Sequence, residues 1–367
     1  MHFRIFETWR LMAALLVMAY HFLRFGPGTL QQYQAGEVLH RLLPLMDMFF
    51  MISGFLILLR YGDLISDWSS YRQFIVRRLA RFYPLYLVTF LFFVAVGVCL
   101  HFGLVQSTQP ERYDYSLLWE NLFLVQAWGT TANLSFNYVA WSLSAEWFCY
   151  LLLPVYVLII RRGGVVGLTT LAVLSIAALE IATTTGIIPF ESWLQADTWG
   201  AYRAFADFAV GGVVMMLARD SRWKLRSHFP AWLVFAISIV GMLLFWPSYV
   251  TVLLLGLSMF LAAVAERNNP AGARWLSVLS PIGRVSFGIY LIHPVMEAIL
   301  LAVIWRRFIE PLDIVSFYVF WIVPMAATIL VAIASDRYFE KPFSDWFNGL
   351  FGTPKKAGTV QARNAPA

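Results

Sequence analysis

Charge is what this chain has least of. Only 13% of its 367 residues are Asp, Glu, Lys or Arg, about half the share of a soluble domain, so an ordinary water-exposed surface is excluded. Cysteine is scarce too: Cys99 and Cys149 both fall in apolar runs. Two such thiols make a disulfide framework unexpected and support no metal site. Convincing internal repeats are missing, which argues against a repeat-built transporter.

What the chain has is apolar residues, 60% of the total, with a mean hydropathy of +0.68. The fold class expected is all-α, a polytopic transmembrane helical bundle. Apolar windows run over residues 5–25, 42–59, 82–102, 141–160, 165–182, 199–218, 229–246, 250–265, 285–305 and 314–334. At about 20 residues per crossing, these are ten spans. The stretch 117–128 is apolar but too short to cross, and reads as a re-entrant or interfacial helix. The first window carries Glu7 and Arg10 with no small-residue cleavage site after it, so it is expected to be a retained span and not a signal peptide.

Basic residues set the orientation. If the ends of the chain are cytoplasmic, 20 of the 27 basic residues lie on the cytoplasmic side, as the positive-inside rule requires. Arg306 and Arg307 form the one discordant loop. The net charge of +6 therefore reports topology, and no nucleic-acid partner is expected. Residues 1–345 make one membrane domain, and 346–367 a tail expected to be cytoplasmic and disordered, small, polar and basic after Phe351.

Within this scheme a few polar residues stand at membrane depth. Arg10 and His21 share the first span, their Cα atoms about 16 Å apart along a helix axis. Intramembrane arginine is costly and marks function by default, and histidine suits proton transfer near neutrality. Asp47 and Glu146 fall in the same outer depth band as His21, where a base and an orienting carboxylate would activate a hydroxyl. His293 precedes Pro294, which frees a backbone carbonyl, and Glu297 follows one turn on. Arg77, Arg78 and Arg81, three and four apart, share a helix face suited to phosphate oxygens. Arg203 and Asp207 have the spacing of an intrahelical pair. Ser53-Gly54 reads as a packing contact.

These segments together resemble the acyltransferase-3 family of bacterial membrane proteins. The resemblance rests on Arg10 and His21 with ten residues between them, and on Asp47-Met-Phe-Phe-Met-Ile-Ser53-Gly54-Phe55. It continues through Arg77-Arg78-Leu-Ala-Arg81-Phe-Tyr83-Pro84 and Trp141-Ser142-Leu143-Ser144-Ala-Glu146. It closes with Ser286-Phe-Gly-Ile-Tyr290-Leu-Ile-His293-Pro294 and Glu340-Lys341-Pro342. Each string is weak alone; six in the family's order are specific. Trp147 stands where a second acid is common, and Leu11 where glycine is common.

The resemblance implies an O-acyltransferase of the bacterial inner (cytoplasmic) membrane, with no permanently bound cofactor and acetyl-CoA as co-substrate. The acceptor would be a hydroxyl of a surface glycan or glycolipid, reached from the outer face. His21, Glu146 and Arg10 are the catalytic candidates, His21 acting as general base or as a nucleophile that carries the acyl group. Arg77, Arg78, Arg81, Asp47, Ser142, Tyr290 and His293 are the candidates for donor or substrate binding. The residues alone leave a rival, a proton-coupled transporter or flippase of a lipid-linked sugar.

Overall fold

The computed structural model describes residues 3–107, 109–195 and 197–351. Among them there is no β-strand. The main helices are α1 (Arg4–Leu23), α2 (Leu30–Arg41), α3 (Leu45–Tyr61), α4 (Trp68–His101), α5 (Leu118–Leu122), α6 (Trp141–Leu151), α7 (Leu153–Thr184) and α8 (Gly200–Asp220). They continue as α9 (Phe229–Leu243), α10 (Ser248–Asn268), α11 (Ser280–Gly283), α12 (Ser286–Met296), α13 (Phe317–Phe320), α14 (Ile322–Ser335) and α15 (Lys341–Phe351).

Seven helical stretches among the described residues are long and apolar enough to cross a bilayer: Leu30–Tyr61, Trp68–His101, Leu153–Thr184, Gly200–Asp220, Ser248–Asn268, Ser286–Leu312 and Phe317–Phe351. Large aliphatic side chains such as Leu253, Leu330 and Val173 face outward from them. A continuous apolar exterior of this kind is covered by lipid in a native protein, and the chain is an integral membrane protein. α1 is not among the seven, since Glu7 and Arg10 interrupt its apolar run. Its Ile5, Phe6, Trp9 and Met18 are nevertheless fully buried, which makes it an interior helix of the bundle.

Breaks in the helices have local causes. α4 begins early, at Trp68, because Asp67 and Ser70 form a reciprocal cap: Asp67 Oδ1 accepts from Ser70 N at 2.8 Å, and Ser70 Oγ accepts from Asp67 N at 3.1 Å. Residues 72–81 are therefore helical, with the arginines on α4 itself. The 141–160 window is divided at Leu152, where Pro154 in the first turn of α7 removes a donor. Gly164, at φ +56°, breaks α7 again. After Pro294 the chain widens into a π-type run over Glu297–Ile309, a local expansion often found at functional sites.

The 117–128 stretch contains the short α5, a turn with Leu124 at φ +56° and the start of a distorted π-type turn at Gln126. Such irregular backbone is tolerated in a bundle only where protein groups satisfy it. Ser144 does so: its Oγ accepts from Ala127 N at 3.1 Å and donates to the Leu124 carbonyl at 2.8 Å.

The tail expectation needs correction. Residues 346–351 are the end of α15, whose Phe343, Trp346, Phe347 and Phe351 form a chain of ring contacts. Aromatic side chains four apart supply an amphipathic face that a polar tail would lack. Residues 352–367 lie outside the described residues.

α3 and α8 form the centre. A Cβ on Gly211 would lie 2.0 Å from the Met51 carbonyl oxygen, and one on Gly54 would lie 2.5 Å from that of Phe208. The two backbones touch, the close approach that small residues permit between membrane helices. Gly211→Ala is therefore expected to destabilise the bundle by about 1–3 kcal/mol, read as a lower melting temperature in detergent. An unchanged melting temperature would mean that the α3–α8 contact has slack.

Candidate active site

His21 sits in the last turn of α1 and lines a cavity of about 820 Å³. Tyr138, Trp141, Tyr290, Arg24 and Arg112 share that wall. The volume is that of a small-molecule site, and its lining mixes aromatic faces with charged and amide side chains.

The His21 ring is packed between two others. The Tyr138 ring meets it edge-on at 4.9 Å between centroids, and the His293 ring lies at 5.4 Å with 26° between planes. Tyr138 Oη donates to Glu297 Oε2 at 2.7 Å, and the Arg112 guanidinium sits over the Tyr138 ring at 4.3 Å. Nδ1 of His21 is buried without a hydrogen-bond partner.

The turn carrying Tyr138 is held from two sides. Tyr290 Oη donates to the Val139 carbonyl at 2.9 Å, and Ser142 Oγ donates to the same oxygen at 3.2 Å. Asn137 Nδ2 donates to Thr89 Oγ1 and to the Leu291 carbonyl. Tyr290 and Ser142 thus fix α12 and α6 against the wall of the cavity; Tyr290 also lines it.

Glu146 is not among the residues that line this cavity. The Glu146 carboxylate accepts from Ser53 Oγ at 2.5 Å, so Ser53 is more than a packing residue. Glu146 is the carboxylate whose field acts on Arg10, with the cations Arg81 and Arg78 also nearby. Arg10 itself lies over the Phe49 ring at 4.3 Å, its Nε buried and unpaired. Two of the three catalytic candidates, Arg10 and Glu146, therefore share one polar cluster, and His21 occupies another. The reason is helix geometry: eleven residues put His21 three turns from Arg10, so no single carboxylate serves both.

Asp47 is already engaged. Its two oxygens accept from Arg203 Nε at 2.5 Å and Arg203 Nη2 at 2.7 Å, a bidentate pair with both residues buried. Arg203 also lies 3.9 Å from Asp197. The expected Arg203–Asp207 pair is thus replaced by one between helices, because the guanidinium fork matches a carboxylate it can face head-on.

The basic stretch of α4 divides. Arg77 and Arg81 are exposed, whereas Arg78 turns inward. Its guanidinium lies 5.3–5.5 Å from the ring centres of Tyr61, Phe74 and Tyr150, and its Nε is buried and unpaired. Tyr150 stands within the fields of Glu146, Arg78 and Arg10. Arg81 acts on Glu340, whose Oε1 accepts from Ser335 Oγ at 2.8 Å. No group of three or more His, Cys, Asp or Glu among the described residues is placed to hold a metal ion.

Tyr138 had no distinguishing signal in sequence, and Ser53 was legible only as part of the Asp47–Phe55 pattern, not as the partner of Glu146. Glu297 had one, its i+4 spacing from His293, which puts both on one helix face.

An interior helix carrying an arginine in one polar cluster and a cavity-lining histidine in another defines a membrane protein built for chemistry within the bundle. A family model described as an acyltransferase domain matches residues 4–337, and the chain belongs to the acyltransferase-3 family. It is a membrane acyltransferase. Among characterised relatives, it is 28% identical over 312 residues to acyltransferase MdmB of Streptomyces mycarofaciens, covering 77% of this chain and 76% of that protein. No solved structure matches the chain significantly.

Proposed function

We propose that this protein transfers an acetyl group from acetyl-CoA, bound from the cytoplasm, to a hydroxyl of a surface glycan or glycolipid near the outer face of the bacterial inner membrane. Ten spans with both termini cytoplasmic give the orientation, supported by the distribution of basic residues. The observation that carries the reading is His21, which lines a ligand-sized cavity at the opposite end of α1 from Arg10. Family membership favours it over the transporter.

In this reading His21 Nε2 takes the acceptor's hydroxyl proton as its oxygen attacks the thioester carbonyl. The C–S bond then breaks and the imidazolium returns the proton to the departing thiolate, giving free CoA and the O-acyl product. Arg77 and Arg81 hold the donor's phosphates at the surface, while Arg78 and Arg10 draw the donor inward. Glu146, bonded to Ser53 and acting on Arg10, holds that arginine in place along the donor's route. The extended pantetheine arm has about half a bilayer, roughly 15 Å, to cross.

Incubating membranes with labelled acetyl-CoA and separating glycan, lipid and protein fractions tests the acceptor class. Label is expected in the glycan or glycolipid fraction; label confined to protein would contradict the proposal. Arg78→Ala is expected to raise KM for acetyl-CoA about tenfold or more, the loss of a charge-assisted contact, with a smaller change in turnover at saturating donor. An unchanged KM would return Arg78 to a role in packing or topology.

A further inference from the structure

His293 is the most deeply buried polar group beside His21, and the mechanism above does not use it. It is fully buried, and neither ring nitrogen has a hydrogen bond. A buried imidazole left so is costly unless a partner completes it. Two partners are at hand. Pro294 has no N–H, so the Tyr290 carbonyl loses the donor that would normally come four residues later. The backbone at Tyr290 and Ile289 acts on the His293 ring, short of hydrogen-bond geometry. Nδ1, the nitrogen nearer the main chain, makes no bond here, and it is the one that a rotation of the ring would bring to a carbonyl on the preceding turn. A neutral imidazole with Nδ1 protonated carries its lone pair on Nε2.

The second partner is His21. Its Nδ1 is likewise buried and unpaired. The two ring centres are 5.4 Å apart with planes 26° from parallel. The rings are stacked and no hydrogen bond joins them in this structure. An N–H···N bond of about 3 Å joining two imidazoles edge to edge would leave their centres at a comparable separation, so the bond requires the rings to rotate but not to move apart.

We infer that His293 is the positioning residue of the His21 base, accepting His21 Nδ1–H so that Nε2 of His21 faces the acceptor hydroxyl as a free lone pair. The inference rests on His21 acting as the base. When Nε2 takes the acceptor proton, the resulting imidazolium donates through Nδ1 to His293, and the charge stays within a chain ending at the Tyr290 carbonyl. No net proton is gained or lost, because the thiolate receives the acceptor's proton when the C–S bond breaks. The role is the one an orienting carboxylate plays beside a catalytic histidine elsewhere. Here an uncharged imidazole serves, which spares the buried ring pair a second charge.

The test compares His293→Phe, which removes both nitrogens, with His293→Gln, whose amide oxygen replaces the Nε2 acceptor. The phenylalanine variant is expected to lose at least about tenfold in kcat with KM for acetyl-CoA unchanged, and the glutamine variant to recover much of it. A second readout needs no turnover: the rate at which diethyl pyrocarbonate modifies His21, followed by mass spectrometry of its peptide. That rate is expected to fall in His293→Phe and to be largely restored in His293→Gln. If the phenylalanine variant does not fold, His293→Met carries the same comparison.

Full kcat in His293→Phe, with His21→Asn inactive, would overturn this inference and leave the base intact. Equal losses in the Phe and Gln variants would overturn it in favour of packing. The same would follow if Tyr138→Phe, and not His293→Phe, slowed modification of His21. Turnover by His21→Asn would instead remove the reading on which the inference stands.

Discussion

His21→Asn is expected to abolish acyl transfer, with a fall in kcat of about 10²–10⁴-fold, the range that a positioned general base contributes. Asparagine keeps a polar side chain at the cavity wall but cannot accept a proton near neutrality. Donor affinity is expected to survive, since the arginines assigned to the donor belong to the other polar cluster and Arg10 lies about 16 Å along α1. Purified protein should therefore bind acetyl-CoA with little change while failing to acylate the acceptor. Combined loss of binding and turnover would indicate that the two clusters form one site, and retained turnover would remove the imidazole from the chemistry.

Breaking the Asp47–Arg203 pair is expected to have the largest effect on stability. Both side chains are buried and joined by two hydrogen bonds. Removing one partner leaves an uncompensated charge, which costs about 3–5 kcal/mol. Asp47→Ala and Arg203→Ala should each reduce accumulation of folded protein and lower the melting temperature in detergent. Asp47→Leu combined with Arg203→Leu should be less damaging than either single change to leucine, because no lone charge remains. If Asp47→Ala instead folds normally and loses substrate affinity, the carboxylate belongs to binding, as its place in the family's pattern implies.

Legibility in the sequence followed the physics of each feature. Helices were readable because long apolar runs have one stable form in lipid. Their breaks at Pro154 and Gly164 were less so, since such residues are tolerated in spans when neighbours satisfy the backbone. Arg10, His21, Asp47, Arg78 and Glu146 stood out because charge at membrane depth is rare. Their pairing did not. Depth along the membrane normal is one coordinate, and it put Asp47, Glu146 and His21 together. The rotation of each helix, fixed by contacts such as Gly211 on Met51, then sent Asp47 to Arg203 and Glu146 to Ser53. Tyr138 remained invisible because a tyrosine in a turn has no periodic signature. Its importance comes from the Val139 carbonyl, on which Tyr290 and Ser142 converge.

The opposed placement of base and donor can be tested by sidedness. Membrane-impermeant, radiolabelled acetyl-CoA is supplied to inverted vesicles, whose cytoplasmic face is outward, and to right-side-out vesicles, with the acceptor present in both. Transfer is expected in inverted vesicles bearing the wild-type protein, with none in right-side-out vesicles and none with His21→Asn. Equal transfer from right-side-out vesicles, or label incorporated by His21→Asn, would contradict a donor gripped from inside and a histidine base working towards the exterior.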